Sequence, residues 1–392
     1  MAESFLSPKI FYGYGKLKQL KYLRGNRALI ITDKIIVDLG FVDKVTKQLK
    51  KSKKPMEYKI FDEVEPDPSD TTVLKGAEIA QEFKPDWIIA IGGGSSMDVA
   101  KMIWVLYENP ETQLMEIGPL KRMKMGKKSK LVTIPTTSGT GAEITFASVI
   151  TNAEKNYKMT LANFAITPNM SIIDPNLTLT MPPKLTASTG LDALTHAIEG
   201  YISPLKNDFS DGPCLKAIQL VFKWLPKSYQ SGKSETLDKE AREKMHYAAT
   251  IAGLGFGNSS GGLAHGIGHS IGAVLDLQHG FCVGILLPYT IQYLDSTSRK
   301  NFEEVVNFLQ LKNGKNATEI LANNIRELLT SLNVPLNFKD FGIEEEEYKN
   351  KFEKILQFTL TDLSTKTCPR KATEDELKKL IEYSYYGKAV DF

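Results

Sequence analysis

The first half of the chain alternates short apolar runs with amphipathic stretches. Runs rich in β-branched residues predict buried strands, and apolar residues that recur every three or four positions predict helices. This alternation favours a mainly parallel sheet with helices on both faces, an architecture that binds ligands at its strand ends. The predicted strands are residues 28–32, 56–61, 87–91 and 131–134, and the predicted helices are residues 41–51, 69–83 and 97–107.

The pattern changes after a further apolar run at residues 172–174. Two adjacent prolines, Pro182 and Pro183, follow it, and beyond them apolar residues recur at helical spacing. A chain of 392 residues exceeds what one core usually supports. We therefore expect an α/β domain over residues 1–180 and an all-α domain over residues 181–392. The predicted helices of the second domain are residues 186–201, 213–225, 239–254, 263–275, 301–309, 317–332, 345–358 and 373–385.

Composition narrows the range of partners and compartments. Apolar residues make up 42% of the chain and charged residues 24%, and the net charge is +3, so neither nucleic acid nor an anionic membrane is expected as a partner. The basic run at residues 120–130 has no interleaved aromatic residues and is interpreted as a solvated loop. Three widely separated cysteines, the lack of a secretion signal and the lack of a long apolar run predict a cytoplasmic protein.

Three consecutive glycines, Gly92, Gly93 and Gly94, follow one buried strand and precede a predicted helix that begins near Ser95. Glycine lets a ligand approach the backbone closely, and a helix N-terminus offers free N–H groups to a phosphate. The string is not GxGxxG. A pyrophosphate site and a serine-capped strand-to-helix turn therefore remain equal alternatives.

A second polar loop follows another predicted strand. Hydroxyl groups and free backbone at two strand ends suit a dinucleotide, although a loop that only caps the next segment is the alternative. Asp33, at the end of the first strand, could accept the adenosine ribose hydroxyls and repel a 2′-phosphate, or it could be the N-cap of the next helix. The hydroxyl-bearing residues of the loop are Thr136, Thr137, Ser138 and Thr140.

Four of the five histidines lie in two segments with helical spacing. Asp192 and His196 are four residues apart, as are His265 and His269, so each pair shares one helix face, and His279 follows the second pair. A divalent transition metal accepts imidazole and carboxylate ligands together, and a catalytic metal keeps one position open. Any one of these histidines could be a core residue, but their joint spacing favours a metal site.

Five strings resemble the iron-containing alcohol dehydrogenase family: EPDPSD at 65–70, IGGGSSMDVAK at 91–101, IPTTSGTGAEIT at 134–145, TGLDALTHAIEGY at 189–201 and GLAHGIGHSIGA at 262–273. The resemblance covers nearly the whole chain. It implies a dinucleotide-binding α/β domain followed by a helical, metal-binding catalytic domain. It further implies Fe(II), or sometimes Zn(II), on Asp192, His196, His265 and His279, with His269 as a non-ligand histidine facing the nicotinamide and the substrate.

The resemblance also implies a set of contacts to the cofactor, for which NAD is expected over NADP. Asp67 stands where many members carry asparagine, so the contact made there is the least typical. The family resemblance further suggests a homodimer in which the N-terminal segment 10–15 is an edge strand that pairs with a second subunit. The implied cofactor contacts are Asp33, Asp67, Gly93, Gly94, Ser95, Thr136, Thr137, Ser138, Thr140, Val149 and Lys158.

These observations predict an iron-dependent, NAD(P)-linked alcohol dehydrogenase that transfers hydride between a small primary alcohol or diol and NAD(H). The metal is expected to act as a Lewis acid toward the alcohol oxygen. His269 is expected to relay the proton, since histidine titrates near neutral pH. Two alternatives are kept. One is an enzyme of the same fold that resembles glycerol dehydrogenase or dehydroquinate synthase, and the other is a non-catalytic protein that binds nucleotide and metal.

Overall fold

The computed structural model describes residues 4–154, 157–234 and 236–392. The chain divides into two compact units, Met1–Thr180 (unit 1) and Met181–Phe392 (unit 2). Unit 1 is an α/β unit with a parallel sheet, and the regular elements described in unit 2 are all helical. The predicted fold class is therefore confirmed. Within the described ranges, no helix combines the length and the apolar character that crossing a membrane requires.

Unit 1 is built on a six-stranded sheet in which every strand pair is parallel. The strand order is β1-β8-β5-β4-β2-β3, so β1 and β3 are the edges, and β6 and β7 form a separate antiparallel hairpin. The strands are β1 (Lys9–Tyr12), β2 (Arg27–Ile31), β3 (Glu57–Phe61), β4 (Trp87–Gly92), β5 (Lys130–Pro135), β6 (Ala147–Asn152), β7 (Tyr157–Ala162) and β8 (Met170–Ile173).

Both faces of the central strands of this sheet are buried, as the continuous apolar runs predicted. Leu29 and Ile88 pack into one core, while their neighbours Ile30 and Ile89 pack into a second core on the opposite face, because successive side chains of a strand point to opposite sides. All four side chains are fully buried. The main helices of unit 1 are α1 (Lys34–Asp38), α2 (Phe41–Lys50), α3 (Asp70–Phe83) and α4 (Gly94–Glu108).

The β6–β7 hairpin was not predicted. Its signal was the run of β-branched residues from Val149 to Thr151, which ends in a polar turn. The hairpin is tied to the start of α3, because the carboxylate of Asp70 accepts hydrogen bonds from Asn152 Nδ2 at 2.9 Å and from the Ala153 N–H at 3.1 Å. The hairpin is therefore a fixed part of unit 1.

Unit 2 is a helical assembly in which α5 packs against α6, α7 and α9. Helix α9 was not predicted, because it is buried on almost all sides and so shows no apolar periodicity, and because Pro288 lies inside it. The helices are α5 (Pro183–Ile202), α6 (Asp208–Ser231), α7 (Lys239–Phe256), α8 (Leu263–Leu275), α9 (His279–Tyr293), α10 (Asp295–Leu309), α11 (Ala317–Ser331), α12 (Glu345–Thr361), α13 (Leu363–Lys366) and α14 (Glu374–Tyr386).

Helix boundaries differ from the predicted ones where a cap decides them. Helix α6 begins five residues before the predicted start at 213, because Asn207 and Ser210 form a reciprocal capping box ahead of Pro213. Helix α8 spans the predicted residues 263–275. The two segments that carry the histidine pairs are thus both helical, as the spacing predicted.

Candidate metal centre and dinucleotide-binding loops

Three helices of unit 2 carry the candidate metal ligands. Helix α5 supplies one carboxylate and one imidazole, helix α8 supplies two imidazoles one turn apart, and helix α9 begins with the last imidazole. The side chains on α5 and the first one on α8 are buried, and the other two are half-buried. In chain order these residues are Asp192, His196, His265, His269 and His279.

The first turn of α9 lies very close to α5. A methyl group at Gly280 would be 2.0 Å from the carbonyl oxygen of Ser188, a distance that real contacts do not reach. Glycine is therefore required for this approach. The approach brings His279 beside α5, where its Nε2 lies 3.4 Å from Asp192 Oδ1.

The carboxylate of Asp192 is the centre of the cluster. Its Oδ1 lies 3.5 Å from His196 Nδ1, 3.5 Å from His265 Nε2 and 3.4 Å from His279 Nε2. The tightest group consists of Asp192, His265 and His279, whose ligand atoms all lie within 4.8 Å of one another. His196 joins this group through Asp192 and stacks on the His265 ring at a centroid distance of 4.4 Å.

The donor atoms of this cluster are suited to a metal ion. Asp192 Oδ1, His196 Nδ1 and His265 Nε2 are buried, and within the described part of the chain none has a hydrogen-bond partner. Such unpaired buried polar atoms are rare in folded proteins, because each costs its full desolvation energy. One carboxylate and three imidazoles form a donor set that Fe(II) or Zn(II) accepts. A cation at this point would give each of these atoms a partner.

The charge states of the ligands follow from burial and from their mutual contacts. Burial opposes ionisation of Asp192, but the surrounding imidazoles outweigh it and hold the pKa of this carboxyl well below its usual range. Burial lowers the pKa of His196 to about 3, and it also lowers the pKa of His279. Burial likewise disfavours the charged form of His265, yet Glu199 and Asp192 outweigh it and raise the pKa of His265 to about 10.

His269 has a different partner from the other histidines. Its Nδ1 lies 3.0 Å from Oδ2 of Asp362, while its ring stacks on the His279 ring at a centroid distance of 5.0 Å. Asp362 also caps α13 by accepting the Ser364 N–H at 2.7 Å. The sequence analysis did not identify Asp362, and its only local signal is that of an aspartate ahead of a short helix.

One further residue of this region, Glu199, was missed by the sequence analysis. Glu199 is buried on α5 and lies 2.5 Å from His265 Nδ1. The sequence signal for Glu199 was that it lies three residues after His196 and seven after Asp192, on the same face of the predicted helix. Phe256, the last residue of α7, stacks on His196 at a centroid distance of 4.1 Å.

In unit 1, the loops that follow β4 and β5 lie side by side. The Thr136 N–H donates to the carbonyl oxygen of Gly92 at 2.9 Å. Gly93 is the N-cap of α4, and no side chain caps this helix. The predicted alternative of a serine-capped turn is therefore wrong. Gly94 and Ser95 form the first turn of α4. In the second loop, Thr136 and Ser138 are buried, and Thr137 and Thr140 are half-buried.

Asp33 is the N-cap of α1. Its Oδ1 accepts the Ile36 N–H at 3.0 Å, and its Oδ2 accepts the hydroxyl of Ser96 at 3.4 Å. The N-cap alternative is therefore correct as a structural role. The contact with Ser96 places the carboxylate beside the first turn of α4, at the same strand ends as the glycine-rich turn.

Lys158 and Asp67, two of the implied cofactor contacts, form an ion pair with a distance of 2.5 Å between Lys158 Nζ and Asp67 Oδ1. Asp67 has a φ of 52°, a left-handed conformation that asparagine and aspartate adopt more readily than most residues. The pair connects β7 to the loop before α3. An aspartate in place of the family's usual asparagine thus gives Lys158 a charged partner.

Val149, a further implied cofactor contact, donates its backbone N–H to Asp98 Oδ2 at 3.0 Å. Asp98 lies one helical turn from Lys101, whose ammonium group donates to the Ala147 carbonyl at 2.6 Å. Burial raises the pKa of Asp98 to about 6 and lowers the pKa of Lys101 to about 8, and the opposite charge of each partner reduces both shifts. This buried pair, which the sequence analysis missed, fixes β6 on α4.

The sequence and the fold are similar to those of known proteins. The model of the iron-containing alcohol dehydrogenase family matches residues 7–175, and that of the C-terminal region of the Fe-containing alcohol dehydrogenase family matches residues 186–385. The NADPH-dependent butanol dehydrogenase of Clostridium saccharobutylicum is 43% identical over 387 residues, which cover 98% of each chain.

Two other similarities agree with this one. The aldehyde-alcohol dehydrogenase of Streptococcus pneumoniae (serotype 4) is 38% identical over 97% of this chain and 46% of its own length, so this chain spans about half of that relative. Among solved structures, the alcohol dehydrogenase from Oenococcus oeni superimposes with a TM-score of 0.90 at 29% identity, covering 98% of this chain and all of that one (100%).

Proposed function

Since this chain belongs to the iron-containing alcohol dehydrogenase family and is therefore an oxidoreductase that interconverts alcohols and aldehydes, we propose that it transfers hydride between a small primary alcohol and NAD(H). The observation that carries the metal-dependent part of this proposal is the cluster of buried, unpaired donor atoms around Asp192. The butanol dehydrogenase at 43% identity supports a substrate with a short carbon chain. The family supports this redox activity over a synthase or a protein that only binds nucleotide and metal.

The metal in this proposal is Fe(II), with Zn(II) as the alternative, held by Asp192, His196, His265 and His279. Asp192 supplies the negative charge, and the imidazoles supply neutral nitrogen donors. When bound, the ion supplies Lewis-acid polarisation of the substrate oxygen and makes an alcohol easier to deprotonate. The apolar ring of Phe256, stacked on His196, excludes water from one side of the ligand set.

His269 is proposed to move the proton of the substrate hydroxyl. Its Nδ1 is hydrogen-bonded to Asp362, so its Nε2 is the nitrogen that can exchange a proton with another group. Because His269 is half-buried, this proton has a route toward solvent. Asp362 holds the ring in place, as a carboxylate partner does for a catalytic histidine in general.

The proposed dinucleotide site consists of the strand-end loops of unit 1. Gly93, Gly94 and Ser95 present backbone N–H groups at the start of α4, where a helix attracts phosphate. The second loop, with Thr136, Thr137, Ser138 and Thr140, supplies further hydrogen-bonding groups, and Asp67, Val149 and Lys158 complete the proposed contacts. The close packing of these two loops supports this assignment.

NAD is proposed over NADP because Asp33 places a carboxylate at the end of β2, where it would accept ribose hydroxyls and repel a 2′-phosphate. The relative at 43% identity is named as NADPH-dependent, which makes this part of the proposal directly testable. The cofactor preference is tested by initial rates with 1-butanol, measured with NAD and with NADP over the same range of concentrations. A higher kcat/KM with NADP would contradict the role given to Asp33.

We also propose a cytoplasmic homodimer formed through β1. This strand is an edge of the six-stranded sheet, and Tyr12 at its end is 65% exposed. An unpaired edge can add a strand from another chain. Light scattering of the purified protein measures the oligomeric state, and a monomer at micromolar concentration would contradict this assignment.

The central experiment is anaerobic purification followed by metal analysis and an assay of NADH formation from alcohols of two to eight carbons. The proposal expects about one Fe(II) or Zn(II) per chain and NADH formation that disappears on chelation and returns on adding the ion. Turnover with glycerol alone would favour the glycerol dehydrogenase alternative. Binding of nucleotide and metal without turnover would favour the non-catalytic one.

A further inference from the structure

Glu199 lies on the face of α5 that carries Asp192 and His196, but it does not point at the same centre. It is 2% exposed, so its carboxylate is removed from solvent. Its Oε2 accepts the Gly262 N–H at 2.8 Å and contacts His265 Nδ1 at 2.5 Å, while its Oε1 accepts the Ala264 N–H at 2.6 Å. All three contacts are with the start of α8.

The carboxylate of Glu199 therefore caps a helix to which it does not belong. Gly262, the N-cap residue of α8, has no side chain of its own to cap the helix. A methyl group at Gly262 would lie 2.9 Å from both Cδ and Oε1 of Glu199, so only glycine leaves room for the carboxylate. The negative charge also interacts favourably with the N-terminal end of the helix dipole.

The contact with His265 has a consequence for the proposed metal site. A carboxylate oxygen can only accept a hydrogen bond, so the hydrogen must be on Nδ1 of the ring. In the neutral ring the lone pair is then on Nε2, the nitrogen that faces Asp192 Oδ1 at 3.5 Å. The same contact prevents the ring from turning, because rotation would give up the bond to Glu199.

We propose that Glu199 is a positioning residue for the metal centre, which holds His265 in the orientation and tautomer that present Nε2 to the ion. This inference rests on the proposed function, since it takes His265 as a metal ligand. Glu199 itself is not proposed as a ligand, because both of its carboxylate oxygens bond to the start of α8. In metal sites generally, removing such a partner of a ligating histidine weakens metal binding about 10–100-fold.

The competing explanation is that Glu199 only anchors α8. Glu108 of unit 1 provides the matched control, because it is a similarly buried carboxylate (9% exposed) that accepts three backbone N–H groups and is not bonded to any histidine. The donors are the backbone N–H groups of Lys127, Lys128 and Ser129, each 2.8–3.1 Å from the nearer carboxylate oxygen of Glu108. If Glu199 contributes only to stability, Glu199→Gln and Glu108→Gln should both lower the thermal midpoint and leave the affinity for Zn(II) unchanged.

The test measures the affinity of the full-length protein for Zn(II), by competition with a chromophoric chelator, together with thermal stability. Glutamine at 199 keeps the size of the side chain and one acceptor oxygen, but it removes the negative charge. Its NH2 group must then face an N–H donor, either that of Ala264 or those of Gly262 and His265. We expect Glu199→Gln to bind Zn(II) about 10–100-fold more weakly. Glu108→Gln should lower the thermal midpoint without changing the affinity for Zn(II).

A third variant, His265→Ala, separates this inference from the proposed function. If His265→Ala binds Zn(II) as tightly as the wild type, the metal site and this inference are both wrong. If His265→Ala loses the affinity but Glu199→Gln keeps it, or if Glu108→Gln weakens binding as much as Glu199→Gln does, only the positioning role is overturned.

A measurement on the wild type covers the case in which Glu199→Gln does not fold. In the Zn(II)-loaded protein with ¹⁵N-labelled histidine, the His265 ring should show a directly bonded proton on Nδ1 that exchanges slowly with water. A ring that carries its proton on Nε2, or that lacks one on Nδ1, would overturn the inference independently of any variant.

Discussion

The candidate residues of the two units differ in how their polar atoms are satisfied. In unit 1, Asp33 caps a helix and Lys158 pairs with Asp67, so each has a partner within the protein. In unit 2, Asp192 Oδ1 and His265 Nε2 are buried, and neither has a partner among the described residues. A satisfied residue is explained by the fold alone, whereas several unpaired buried donor atoms around one point are explained by a ligand that the chain does not supply.

The two parts of the proposed function, metal binding and dinucleotide binding, therefore rest on different kinds of evidence. The metal centre follows from the geometry and desolvation of side chains in unit 2. The dinucleotide site follows from backbone N–H groups at strand ends, from the neighbouring loop and from the family resemblance. Variants of unit 2 should therefore act first on metal binding, and variants of unit 1 should act on cofactor choice and cofactor affinity.

The largest effect is expected for Asp192→Asn, which removes the carboxylate charge that contacts all three imidazoles. We expect the Zn(II) or Fe(II) content after dialysis to fall by more than about 100-fold, and turnover to fall with it, since a ligand matters more than its supporting residue. Metal analysis and NADH formation check this. Asp238→Asn, which keeps a helix-capping side chain in the same unit, should leave both unchanged.

His269→Ala should separate metal binding from turnover. We expect kcat to fall by roughly 10²–10⁴-fold, the usual contribution of a general acid–base group, while the metal content remains at the wild-type value. Steady-state kinetics and metal analysis on the same preparation measure both. A variant that loses its metal would show that His269 is a ligand, and a variant with wild-type kcat would show that it has no role in proton transfer.

Metal binding should release protons and stabilise the protein. In the metal-free protein the pKa of His265 is about 10, so the ring is protonated at pH 8 and must lose about one proton to become a ligand. Calorimetry of Zn(II) binding in buffers of different ionisation enthalpy measures this number. Free metal at 100 times its Kd should add about 2.7 kcal/mol to the free energy of unfolding. Binding without proton release at pH 8 would contradict either the raised pKa of His265 or its assignment as a ligand.

The same pKa fixes the sign of a pH effect on the metal-free protein. The pKa of His265 is raised from 6.5 in the unfolded chain to about 10 in the folded one. Its contribution to stability is therefore fully present below pH 6.5 and is lost as the pH rises through 10. Chemical denaturation of the chelated protein at pH 6.5, 8 and 10 measures this loss, which His265→Ala should abolish.

The smallest effect is expected in unit 1. Asp33→Asn keeps a side chain that can cap α1 but removes the charge that would repel a 2′-phosphate. We expect kcat/KM with NADP to rise about tenfold, which corresponds to about 1.4 kcal/mol. The ratio of kcat/KM for the two cofactors measures this. An unchanged ratio would show that Asp33 is only a helix cap.

Local pattern predicted much of the fold. The strands β2, β4 and β5 lie where continuous apolar runs placed them, because both faces of these strands are buried. Helix α8 lies where the helical spacing placed it. Helix α9 was not predicted, because the same rule fails when a helix has no exposed face. It is buried on nearly every side, so its sequence lacks the periodicity that identifies a helix.

Sequence alone predicted the two-part organisation, the glycine-rich and hydroxyl-rich loops and the histidine pairs, because these features depend on residues that are near one another along the chain. Tertiary packing set the features that depend on distant residues. It paired Glu199 with His265, 66 residues apart, and His269 with Asp362, 93 residues apart. It also brought His279 against Asp192 through the close approach at Gly280. Spacing can place two side chains on one helix face, but only packing between helices decides which of their atoms lack a partner.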